Sequence, residues 1–125
     1  MEQKPHYRLI VWRRSIDLVK GVYDLTRHLP LDERFSLTNQ MRRAAISVAS
    51  NIAEGAGRKS TGEKLNFFHI ARGSLTELDT QVEICEVLGY VKAEERKPLQ
   101  EQIEVVGRLL YGLIISRQSV ETSPH

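Results

Sequence analysis

The stretch from Phe35 to Gln81, FSLTNQMRRAAISVASNIAEGAGRKSTGEKLNFFHIARGSLTELDTQ, constrains the fold more than any other part of the chain. Leu37, Met41, Ala44, Val48 and Ile52 recur at spacings of three and four, which is the period of a helix with one buried face. Ala45, Ala49 and Ala53 run beside them as a stripe of methyl groups. Small side chains let helix axes approach closely, so van der Waals contact replaces interdigitated leucines. Between Ala44 and Ala53 this helix is so poor in charge that it must be enclosed on most sides, by its own bundle or by another subunit. Ser36 is its expected N-cap. Gly55 and Gly57 end it, either of them able to supply a left-handed C-cap.

The same stretch opens a second long helix. Ser60 and Glu63 have the spacing of a capping box. Leu65, Phe68, Ala71, Leu75, Leu78, Val82 and Cys85 then form a stripe that Phe67, Ile70 and Ile84 widen, and Gly89 terminates it. Upstream, Trp12, Ile16, Val19 and Tyr23 mark one face of a first helix, with Leu18, Val22, Leu25 and Leu29 beside it, and Pro30 ends it. Phe35, in the connection that follows, is expected as a core plug. Downstream, Leu99, Ile103, Val106, Leu110 and Leu113 define a fourth helix. Pro98 either starts that helix or bends it. The expected helices are 10–28, 37–55, 61–88 and 98–116, the third being the longest. They make an all-α, antiparallel, up-and-down, left-handed four-helix bundle. The whole chain reads as one domain, with a core over residues 8–117 and flexible segments at 1–7 and 118–125.

Composition narrows the function. Aliphatic residues and alanine dominate the 41% hydrophobic content, and aromatics are only 6%. No apolar run reaches the length of a membrane span, and the N-terminus lacks a signal-peptide pattern, so a cytoplasmic protein is expected. The lone Cys85 excludes an internal disulfide and reads as a small buried hydrophobe. The net charge of +2 hides an asymmetry: residues 1–72 carry 13 Lys/Arg against 7 Asp/Glu, and residues 73–125 carry 5 against 9. Such a split suits either self-assembly or a basic patch for nucleic acid.

No catalytic constellation emerges. GAGRKSTG lacks the spacing of a phosphate-binding loop, and no strand precedes it. His6, His28, His69 and His125 have no metal-ligand spacing. Glu54, Glu63 and Glu77 do not form the carboxylate and Glu-x-x-His pattern of di-iron bundles. Ser47, Ser50 and Ser74 have no evident base. A non-enzymatic protein without cofactor, metal or small-molecule substrate is therefore expected. The candidate contacts are Arg42, Arg43, Arg58, Lys59, Lys64 and Arg72, cations suited to phosphates rather than to base edges. In the competing reading the Arg pair forms salt bridges between subunits of a protein–protein adaptor. A metal-dependent bundle enzyme would require convergent carboxylates.

QMRRAAISVASNIAEGAGR, FFHIARGSLTELDTQ and LGY, together with the upstream VWRRSIDLVKGVYDLTRHLP and ERFSL, resemble the four-helix-bundle proteins encoded in bacterial 23S rRNA intervening sequences. The resemblance covers about residues 8–117. It implies an up-and-down bundle assembled as a ring-shaped homopentamer. A related branch, the accessory proteins of diversity-generating retroelements, implies possible binding of RNA, DNA or a nucleic-acid-handling protein. On that resemblance Arg42 and Arg43 occupy the family's Arg-Arg pair. Asn51, Glu54, Gly55 and Arg58 fall on its Asn-Ile-Ala-Glu-Gly block and following Arg, and Arg72, Gly73, Ser74 and Glu77 on its second block.

Overall fold

The computed structural model describes residues 4–122; of the segments expected to be flexible, 1–3 and 123–125 lie outside the described residues, whereas 118–122 continue the last helix. Four helices carry the chain: α1 (Ile10–Thr26), α2 (Leu37–Ala56), α3 (Thr61–Val87) and α4 (Ala93–Thr122). Short 3-10 turns stand at Pro5–Arg8 and Leu31–Glu33, and no strand occurs among the described residues. Helix α1 packs on α2 and α4, and α3 packs on α2 and α4, which makes a four-helix bundle. The α2–α3 pair has the most extensive contact. Met41 meets Cys85, Ser47 meets Ser74, and Gly55 meets Phe68 along it.

The core is aliphatic. Leu18, Met41, Ile52, Phe68, Leu78 and Leu110 are fully buried, each contributing about 1.5–3 kcal/mol relative to an exposed side chain. Ala45 and Ala49 of the methyl stripe are buried, as is Ala44, whereas Ala53 is only partly covered. The inward face of α1 differs from the expected one. Val11, Ser15, Leu18, Val22 and Leu25 are buried, Ile16 is exposed, and Trp12, Val19 and Tyr23 are only partly covered. Ser15 can enter the core because its hydroxyl donates to the Trp12 carbonyl at 2.5 Å. A self-satisfied serine has no unpaired polar group to desolvate. The Pro5–Arg8 turn is also more ordered than a loose lead-in, as His6 and Tyr7 pack on the Trp12 ring.

Helix ends follow local chemistry. Glu63 N–H donates to Ser60 Oγ at 3.1 Å, and the Ser60 hydroxyl in turn donates to the Glu63 carboxylate at 3.0 Å. Ser36 makes no such cap; its hydroxyl donates to Glu33 instead. At the end of α3, Gly89 takes φ +77°, while Gly89 N–H reaches Glu86 O and Tyr90 N–H reaches Cys85 O, both at 2.9 Å. This is the paired-bond Schellman termination, for which a residue without a β-carbon is suited.

Three further expectations are corrected. Gly57 closes α2 with φ −86°, and Gly89 is the one glycine with positive φ among the described residues, so neither Gly55 nor Gly57 is a left-handed cap. Phe35 is 83% exposed, its ring covered by the Arg34 guanidinium at 4.8 Å. Helix α4, not α3, is the longest, with 30 residues against 27. It starts before the proline because the Glu95 carboxylate accepts the Lys92 N–H at 2.8 Å, closing the first turn. Pro98 is therefore inside α4, near its N-terminal end.

Candidate nucleic-acid interface

The six candidate cations do not converge. Arg42 and Arg43 lie in the first half of α2, on the order of 20 Å along the helix from Arg58. Arg42 is half-buried: its Nε donates to Thr26 Oγ1 at 2.9 Å, and its guanidinium lies 4.3 Å from the centre of the Tyr23 ring. It ties α2 to α1. Arg43, the next residue, is exposed and makes no hydrogen bond or ion pair among the described residues.

The α2–α3 turn gathers the next three. Arg58 pairs with Glu54 at 3.1 Å, approaches Glu63 at 3.9 Å and covers the Phe67 ring at 4.7 Å. Lys64 Nζ donates to the carbonyls of Ala56 at 3.0 Å and Gly55 at 3.5 Å. A cation is favoured there because the last carbonyls of a helix lack intrahelical donors and carry its negative end. Desolvation, and then the nearby Arg117 charge, hold the Lys64 ammonium below the usual lysine pKa. Lys59 is exposed and without a hydrogen bond or ion pair among the described residues. Arg72, on α3, lies 5.4 Å from the Tyr111 ring of α4.

The motif residues are mostly architectural. Asn51 Nδ2 donates to Ser47 O at 2.9 Å and Ser47 Oγ at 3.0 Å, and Ser47 Oγ is 2.8 Å from Ser74 Oγ. Together they form a small polar seam between α2 and α3. Glu77 accepts from Gln81 at 3.1 Å, and Glu54 holds Arg58. Gly55 is buried against Phe68. Gly73 is exposed, with open space where a β-carbon would go.

Among the described residues no three potential metal ligands gather, and no helix is long and apolar enough to cross a membrane. Cys85 is buried, its thiol donating to Met41 Sδ at 3.5 Å; burial first, then the Glu33 charge, push its pKa up to about 11.

The profile of the 23S rRNA-intervening sequence protein family matches residues 7–112. The chain belongs to that family. A crystal structure of a protein of unknown function from the S23 ribosomal protein family of Bacteroides thetaiotaomicron VPI-5482 is similar to it in fold. The two share 21% identity with a TM-score of 0.77, over 84% of this chain and 95% of that one. No curated protein matches the chain.

In this member of the 23S rRNA-intervening sequence family, sequence reasoning missed the partners that occupy the arginines. Tyr23 and Thr26 hold Arg42, Phe67 underlies Arg58, and Tyr111 underlies Arg72. Two of these three arrangements join different helices of the bundle, so no local spacing announces them. Arg117, whose buried Nε has no hydrogen-bond partner, was also outside the candidate set.

Proposed function

We propose that the chain is a non-enzymatic cytoplasmic scaffold, an antiparallel up-and-down, left-handed bundle that assembles as a homo-oligomer of five copies and contacts RNA. The nucleic-acid part rests on one observation: Arg58, Lys59 and Lys64 lie together at the α2–α3 end. There Lys59 is uncommitted and the Lys64 ammonium feels Arg117, in a chain whose family is described by an rRNA intervening sequence. Such a surface would bind phosphates, with affinity falling steeply as salt rises.

Self-assembly is supported by α3. Ile70, Ser74, Glu77, Gln81 and Ile84 follow a spacing of four, three, four and three, the period of a helix–helix seam. Ile70 and Ile84 are 44% and 40% exposed on it. A neighbouring copy would cover the isoleucines. In the adaptor reading the Arg42–Arg43 pair would form salt bridges between subunits; Arg42 is already held by Thr26 and Tyr23, and Arg43 has no partner among the described residues. Light scattering and RNA titration separate these readings. The scaffold predicts a mass of five 14.3 kDa chains and RNA binding that weakens from low to near-physiological salt. A monomer contradicts the assembly, and no binding at low salt leaves the adaptor.

A further inference from the structure

Helices α3 and α4 pair in a steady register, residue numbers falling along α3 as they rise along α4. Gln100 Nε2 donates to Asp79 at 3.0 Å, a β-carbon at Gly107 would touch Leu75 at 3.5 Å, and Arg72 lies over the Tyr111 ring. Carried about two turns further, the same register brings Lys64 to Arg117. Their electrostatics agree: the Lys64 pKa is lowered first by desolvation and then by the Arg117 charge. Packing of α3 on α4 thus sets two cations side by side.

Neither cation has a carboxylate partner among the described residues. Lys64 Nζ donates only to the Ala56 and Gly55 carbonyls. Arg117 makes no hydrogen bond or ion pair there, and its Nε is buried. The nearby carboxylates Glu54 and Glu63 are both engaged by Arg58. Arg117 is partly exposed while its Nε is not, so its Nη groups are the donors left for a ligand. Burial penalises each charge and the two repel, so the fold holds two partly desolvated cations without a counter-ion. A planar carboxylate would serve the guanidinium fork alone. A phosphate, with oxygens in several directions, can meet the fork and the ammonium together.

We propose that Lys64 and Arg117 form a phosphate site, the Lys64 ammonium holding one oxygen and the Arg117 Nη groups the others. The site deepens the RNA contact proposed above and rests on it only for the source of the phosphate. That source is a phosphodiester of RNA or free inorganic phosphate, which share the chemistry the two cations recognise.

NMR titration of the isotope-labelled full-length protein with inorganic phosphate, against sodium chloride of matched ionic strength, tests the site. The readout is the Nε–H signal of Arg117, assigned by its absence from Arg117→Gln. A saturable shift with phosphate and none with chloride is expected. Lys64→Gln keeps a donor for the Ala56 carbonyl and should weaken the phosphate response about tenfold, with the helical circular-dichroism signal unchanged. No saturable shift, or an equal response in Lys64→Gln, overturns the proposal, even where the wild-type protein binds RNA. RNA titration of Arg117→Gln then separates the sources: weaker binding than wild type places a phosphodiester in the site, and equal binding leaves free phosphate as its ligand. A phosphate response in a wild-type protein that binds no RNA upholds the site and contradicts the RNA reading alone.

Discussion

Gly55 of α2 lies directly against the ring of Phe68 on α3: a β-carbon at Gly55 would stand 2.5 Å from Cε1 and 2.8 Å from Cδ1 of that ring. Phe68 is among the largest fully buried side chains, so it cannot swing away. The same β-carbon would lie 3.1 Å from the Lys64 carbonyl. Gly55→Ala should therefore destabilise the protein by about 1–3 kcal/mol, the range for an overpacked core, although alanine is the better helix former. Phe68→Leu in the Gly55→Ala background should recover part of the loss. Urea denaturation of the single and double variants measures the coupling, and additive losses would contradict the contact.

The adjacent arginines predict opposite outcomes. Arg42→Ala removes a bond to Thr26 and a stacked cation from Tyr23, and should cost about 1–2 kcal/mol. Arg42→Lys should not restore it, because an ammonium cannot stack and bond in the same plane. Arg43→Ala, at an exposed side chain without a partner among the described residues, should change stability by less than about 0.5 kcal/mol. Thermal melts of the three variants check the contrast.

Cys85 should be inert in the native state. With its pKa pushed up to about 11 by burial, the thiolate is scarce at pH 8, and the group is enclosed besides. The folded value exceeds the unfolded one, so the stability linked to Cys85 is complete below about pH 8.5 and is lost as pH rises toward 11. Alkylation at pH 8 should be slow until denaturant is added. Cys85→Ala should show a shallower fall in stability across that alkaline window.

Pro98 stands inside α4 near its N-terminal end, where it denies the Glu94 carbonyl a donor. Pro98→Ala should raise the midpoint of thermal unfolding, equivalent to about 1–2 kcal/mol. An unchanged midpoint would show that the helix loses nothing by the proline.

The bundle was legible because the inward positions of α2 and α3 keep one period over five to seven turns, and the Ser60 and Gly89 signals fall where those periods stop. Helix α1 was harder to orient: its bulkiest residues, Trp12 and Tyr23, lie on the flank, and a serine satisfied within its own turn takes a core position. Phe35 misled for a related reason. Hydrophobicity argues for burial, but the short Leu31–Glu33 turn leaves that ring outside, under Arg34. At the candidate interface, sequence supplied the cations but not their commitments. Glu54 and Arg58 are one turn apart and could be paired by spacing, whereas Arg42 with Tyr23 and Arg72 with Tyr111 are joined only by tertiary packing.

The most direct test of the scaffold account is RNA titration of the wild-type protein and of a Lys59→Ala variant over a series of salt concentrations. The account predicts weaker binding by the variant and a salt slope shallower by about 0.7–0.9 for the phosphate contact removed. Oligomer mass and melting temperature should be unchanged. An identical affinity and slope in the two proteins would contradict it.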